Sequence, residues 1–129
     1  MTLETMRPDP SWDATAHAAT VETFRDLRDT VDIRIWCGDW CKDCRATLPS
    51  FAAALDAAGY DLDDVAQYPV EKTADGSKVG PLVDEYDISK IPTIVIERDG
   101  ETVARFVETE PLPPAEYLAE KLCGLQQRP

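Results

Sequence analysis

The sequence predicts an α/β fold in which a mixed four-stranded central sheet carries helices on both faces. Three observations predict it. Apolar residues recur at helix and strand spacing in the order helix, strand, helix, strand, short helical turn, strand, strand, helix. Asp99-Gly100 separates two short apolar runs, which is the mark of a tight antiparallel hairpin. The strand–helix–strand run upstream calls for a parallel pair, because a crossover helix returns the chain in the same direction.

Each element has its own reason. Residues 1–12 contain two prolines and polar side chains, so they are expected to form a loose arm ahead of a single domain spanning 13–129. From Ser11, with Asp13 as a cap, helical spacing of Val21, Phe24, Leu27 and Val31 runs to about Asp29. "VDIRIW" (31–36) alternates as a strand, although Asp32 and Arg34 are unexpected charges in a central position and need partners. "CRATLPSFAAALDAAG" (44–59) reads as a helix with Leu48, Phe51, Leu55 and Ala58 on one face, a kink at Pro49 and a stop at Gly59. "VAQYPVE" (65–71) is a strand interrupted by Pro69, 72–81 a loop, and "LVDEYDI" (82–88) a short helical turn. "TIVIE" (93–97) and "TVARFVE" (102–108) form the hairpin strands, and "LPPAEYLAEKLCGL" (112–125) closes the chain as a helix with Leu118, Leu122 and Leu125 in its apolar stripe.

Composition narrows the function. A hydrophobic content of 43% with 29% charged residues describes a soluble globular domain. No apolar run has the length of a membrane helix, and "MTLETMRPDPSWDATAHAAT" lacks the basic and apolar regions of a secretory signal, so a cytoplasmic protein with no membrane partner is expected. Twenty-five acidic residues against 13 basic ones give a net charge of −12, which repels phosphate backbones and argues against nucleic acid. Asp outnumbers Glu, 15 to 10, and Lys is scarce at five. Such a surface suits a salt-loving host, where counterions screen self-repulsion, or else it is that of an ordinary acidic protein.

Three of the four cysteines fall within "WCGDWCKDC" (36–44). A secreted disulfide scaffold scatters its cysteines, so this crowding points to a reactive or metal-binding cluster. Cys37, Cys41 and Cys44 can be paired in more than one way. The cluster lies at the carboxyl end of the first strand as the chain enters a helix, where open α/β sheets place their chemistry.

"WCKDCRATLP" (40–49) resembles the thioredoxin active-site segment W-C-x-x-C-K/R-x-x-x-P, with Trp40, Cys41, Cys44, Arg45 and Pro49 in register. "YDISKIPTIVIERDGETV" (86–103) is similar to the family's second signature, with Ile91, Pro92 and Thr93 matching its Ile–cis-Pro–Thr turn. The resemblance spans roughly residues 14–125 and implies a thioredoxin-like three-layer α/β/α fold. It selects Cys41 as nucleophile and Cys44 as resolving thiol. At the first turn of its helix, Cys41 would be exposed and held as a thiolate by free amides and the helix dipole, with Cys44 shielded one turn below. It implies that Trp40 flanks the nucleophile with a flat surface. It implies too that the turn at Ile91, Pro92 and Thr93 receives an extended substrate and keeps metal out. The implied activity is reduction of protein disulfides. No cofactor is implied beyond a redox-active Cys41–Cys44 disulfide, and a thioredoxin reductase or another thiol serves as electron donor.

The sequence also departs from that pattern. The family's buried Asp, six residues before the nucleophile, is replaced by Ile35, and register places Gln67 where its Lys partner lies. Deprotonation of Cys44 then falls to water, Asp39 or Asp43, and slower turnover is expected. Lys42 lowers the pKa of Cys41 and Asp43 raises it, with the net sign unreadable. Cys37, where a second tryptophan is common, is either a buried small hydrophobe or a third redox thiol trading with Cys41. Cys123 reads as structural and His17 as without a role. The competing functions are a zinc site built on Cys37, Cys41 and Cys44, which needs Cys123 or His17 as a fourth ligand, and a thioredoxin-fold adaptor without turnover.

Overall fold

In chain order the elements are α1 (Ala18–Asp26), β1 (Asp32–Cys37), α2 (Lys42–Ala57), β2 (Ala66–Pro69), β3 (Glu71–Lys72), β4 (Lys78–Val79), β5 (Thr93–Arg98), β6 (Glu101–Val107) and α3 (Pro114–Gln126), with 3₁₀ turns at Glu4–Met6 and Leu62–Asp64. The computed structural model describes residues 4–75, 77–107, 110 and 112–126, with side chains described through residue 122. Leu125 and Cys123 therefore carry expectations that lie outside the described side chains.

The main sheet runs β2-β1-β5-β6. β1 is parallel to β2 and antiparallel to β5, and β5 is antiparallel to β6, so the mixed four-stranded sheet forms as predicted. The β5–β6 turn places Asp99 at φ 55° and Gly100 at φ 84°, the left-handed pair that a tight hairpin requires. Pro69 ends β2 on the sheet edge, where a missing N–H costs no ladder bond.

One sheet face is aliphatic. Ile33, Ile35, Ile94, Ile96 and Phe106 are buried there, α3 sets Tyr117 edge-on to Phe106, and α1, α2 and α3 pack on one another. Leu48, Phe51 and Leu55 of α2 and Ala58 at its C-cap are fully buried, as their spacing predicts. Each of the three larger side chains contributes about 1.5–3 kcal/mol of burial.

The other face is polar-aromatic. Arg34 Nε donates to Glu97 Oε1 at 2.7 Å and its Nη1 to the Tyr68 hydroxyl, while Tyr86 donates to Glu97 Oε2 at 2.7 Å. Trp36 is stacked on Tyr68 and tilted against Tyr86, and its Nε1 donates to the Pro81 carbonyl. The central-strand arginine thus has its partners on the neighbouring strands and the covering segment, and Asp32 is exposed.

That cover is residues 81–88. The expected helical turn is a succession of turns instead, with Leu82 at φ 59° and Asp87 at φ 56° breaking helical geometry at both ends. Three other expectations are corrected. Regular α1 begins at Ala18, because Asp13 caps an earlier turn by accepting from Thr15 and Ala16 amides. The 72–81 loop contains the β3–β4 ribbon, closed by the Asp75 carboxylate accepting from the Ser77 amide. The expected loose arm is anchored: Thr5 and Met6 are buried against α2 and the cysteine loop, because Met6 completes the core. His17 stacks on Trp12 and its Nε2 lies 3.4 Å from Glu116, tying the start of α1 to α3.

Candidate active site

β1 delivers Cys37 to the interior, Gly38 and Asp39 turn the chain, and Cys41 becomes the N-cap of α2 with Cys44 in its first turn. All three cysteines are free thiols. Cys37 and Cys44 are fully buried, and Cys41 keeps 9% of its surface. That remainder opens on a groove of about 140 Å³ lined by Trp40, Cys41, Ile91, Asp43 and three lysines. A larger cleft, about 520 Å³, lies at the opposite end of β1 around Arg28, Asp32 and Tyr60, away from the thiols.

Gly38 shapes the groove. A Cβ there would sit 2.4 Å from Trp40 Nε1 and 2.9 Å from the Val70 carbonyl. Its absence lets the indole fold back and donate to that carbonyl at 2.8 Å, while the ring stays 46% exposed beside Cys41. Ile91–Pro92 is cis. Ile91, Pro92 and Thr93 have buried side chains, and the Thr93 hydroxyl donates to the Lys90 carbonyl at 2.6 Å. Of these three, Ile91 lines the groove.

The electrostatics of Cys41 differ from expectation. Burial pushes its pKa up, and the amides of Cys44 and Asp43 lower it by less. The helix terminus thus lowers the pKa of Cys41 by less than burial raises it. Lys42 and Asp43 are exposed, and Asp43 acts on the sulfur through its backbone.

Cys37 and Cys44 interact in the interior. Interaction with Cys37 raises the pKa of Cys44, and burial adds to the rise. Cys37 is lowered, first by Cys44, with burial opposing and Thr5 adding to the lowering. The Thr5 hydroxyl lies 3.5 Å from Cys37 Sγ and donates to Asp39 Oδ1 at 3.2 Å, where the Thr5 amide also donates at 3.1 Å. Asp39 is half-exposed, so a polar chain runs from Cys44 through Cys37 and Thr5 to a carboxylate at the surface. Ile35 is fully buried and stands opposite Gln67, as register predicted. Gln67 donates to the Leu62 carbonyl. Among the described residues, no group of three or more His, Cys, Asp or Glu converges as metal ligands do.

Thr5 and Gly38 were missed by sequence reasoning. Thr5 lies 34 residues from Asp39 and carries no local signal, whereas the glycine inside "CGDW" was a readable one.

No family model matches the chain, and no curated protein matches it. Solved structures do. A single-residue variant of thioredoxin from Halobacterium salinarum NRC-1 is 22% identical, with a TM-score of 0.53 over 100% of this chain and 99% of its own. Mitochondrial thioredoxin 3 from Saccharomyces cerevisiae, in its oxidised form, is 17% identical, with a TM-score of 0.50 over 81% of this chain and 89% of its own. The chain has the thioredoxin fold.

Proposed function

We propose that the protein is a thiol–disulfide oxidoreductase that reduces disulfides in protein substrates through Cys41 and Cys44. The observation that carries this reading is the division of labour at the head of α2. One thiol reaches an open groove flanked by Trp40 and Ile91, and the other lies buried one turn further along.

Cys41, as thiolate, attacks one sulfur of the substrate disulfide. A Cys41–substrate disulfide forms and the other substrate sulfur leaves as a thiol. Cys44 then loses its proton and attacks Cys41 Sγ. The second substrate sulfur leaves, the substrate has gained two electrons, and the protein holds a Cys41–Cys44 disulfide. An external dithiol donor, such as a thioredoxin reductase, restores the thiols.

The Cys44 proton has a route that uses no buried carboxylate. Cys37 and Cys44 titrate as a pair. The pair loses one proton through the Thr5 hydroxyl toward Asp39 and shares the other. The form with that proton on Cys37 leaves Cys44 anionic for attack.

The test is insulin or small-disulfide reduction with dithiothreitol as donor. Cys41→Ser abolishes turnover. Cys44→Ser stops at a mixed disulfide that mass spectrometry detects. Cys37→Ser keeps most of the activity, because a hydroxyl still donates to the Cys44 sulfur. Full turnover in Cys41→Ser would end the proposal.

A further inference from the structure

The chain has five lysines, and four of them are beside the nucleophile. Lys72, Lys78 and Lys90 line the groove at Cys41, and Lys42 is next to Cys41 in sequence. Against them the groove sets one acidic residue, Asp43. The chain as a whole carries a net charge of −12, so the groove runs against the field of the rest of the molecule.

Two further observations show that packing does not explain these lysines. Lys72 and Lys78 stand directly opposite each other in the β3–β4 ribbon. Like charges in that arrangement destabilise a two-stranded pair that has little else to hold it. None of the four lysines forms an ion pair with a described residue. Three are exposed and Lys78 is half-exposed, so their charges remain open to a ligand.

We infer that the groove at Cys41 selects acidic substrates: extended protein segments in which the reducible cysteine is flanked by Asp or Glu. This specificity rests on the oxidoreductase reading and deepens it. The exposed indole of Trp40 and the edge of Ile91 receive the apolar part of the segment beside the disulfide. The lysines receive its carboxylates on either side. The acidic remainder of the surface repels the same segment and confines its approach to this one region.

The test uses three disulfide peptides identical except for the residues flanking the cysteine, which are Glu, Gln or Lys. Each is reduced by the pre-reduced protein at low salt. The expected order of kcat/KM is Glu, Gln, Lys, with about tenfold or more between the first and last, since charge steering changes association by that factor or above. In Lys72→Glu/Lys78→Glu/Lys90→Glu the Glu-to-Lys rate ratio falls below one. In Lys121→Glu, on α3, it keeps the wild-type value. The ratio cancels any general loss of folded or active protein. Equal rates for the three peptides in the wild type overturn the inference, and so does a ratio unmoved by the triple reversal. If the wild type reduces neither the peptides nor hydroxyethyl disulfide, the oxidoreductase reading falls and takes this one with it.

Discussion

The thiols of Cys37, at the end of β1, and Cys44, in the first turn of α2, are both fully buried and shift each other's ionisation. A lone buried thiol ionises with difficulty, but two in contact lose the first proton more readily, since the one that remains bridges them. The lowered direction for Cys37 and the raised direction for Cys44 express this sharing. The resolving step should therefore rise with pH through an inflection below that of an ordinary thiol. Removing Cys37 leaves Cys44 governed by burial, so the inflection moves up and the rate at neutral pH falls by about tenfold or more. The measurement is release of the second thionitrobenzoate after reaction with 5,5′-dithiobis(2-nitrobenzoate), in a Cys123→Ser background. Cys37→Ala should show the shift, Cys37→Ser a smaller one, and Thr5→Val and Asp39→Asn a slowed second phase. Superimposable profiles for Cys37→Ala and the wild type would remove Cys37 from the mechanism.

The first step is governed by different physics. At Cys41, burial outweighs the amides at the head of α2, and the pKa moves up. Alkylation of Cys41 by iodoacetamide, followed by mass spectrometry, should accelerate only above the pH at which a free thiol reacts. Cys41 and Cys44 share a helix terminus, yet the initial attack is expected to need more alkaline solution than the resolution that follows. An inflection for Cys41 below the ordinary thiol range would mean that the helix dipole governs it after all.

How much of this was legible beforehand depends on where each interaction lies along the chain. The period-2 alternation of β1, the apolar face of α2 and the Asp99-Gly100 hairpin are local patterns, and all three formed as read. The opposition of Ile35 and Gln67 followed from strand register. Non-local contacts were not legible. Met6 and Thr5 reach the core from a segment whose prolines suggested a loose arm, and Thr5 finds Cys37 across 32 residues. Arg34 looked anomalous because Glu97 lies 63 residues away on β5. The state of Cys41 is a balance between burial and amide dipoles, and motif spacing reports only the dipoles.

Gly38 gives a sharper test of the groove. Its missing side chain is the space into which the Trp40 indole folds to reach the Val70 carbonyl. In Gly38→Ala the new methyl meets the indole on one side and backbone on the other, so the ring must leave. The lost hydrogen bond is worth about 1 kcal/mol, which corresponds to roughly a fivefold fall in kcat/KM toward a protein disulfide if Trp40 positions substrate. Trp36 is fully buried and would red-shift on unfolding, so a change in tryptophan emission with an unchanged melting temperature reports displacement of Trp40 rather than loss of the fold. Unchanged emission with unchanged kinetics would show that the indole needs no anchor.

Salt acts on the whole surface. Twenty-five acidic side chains face 13 basic ones, and the ion pairs among the described residues include Arg25–Glu22 and Arg34–Glu97. Arg25–Glu22 is exposed and contributes little. The excess of carboxylates repels itself over distances that salt shortens: the screening length is about 8 Å at physiological ionic strength and about 3 Å at 1 M. Unfolding relieves that repulsion in dilute buffer and gains less from doing so in concentrated salt, so stability should climb with KCl. A gain of about 1 kcal/mol raises Tm by roughly 4 °C for a chain of this size, which differential scanning calorimetry between 0.1 and 2 M KCl resolves. NaCl at equal ionic strength should act alike if screening is the cause. The Arg34–Glu97 pair is shielded by Tyr68 and Tyr86 and should hold throughout, so the gain comes from relieved repulsion rather than from new pairing. A melting temperature that stays level across the series would make the acidic surface a matter of composition alone, with no demand on the solvent.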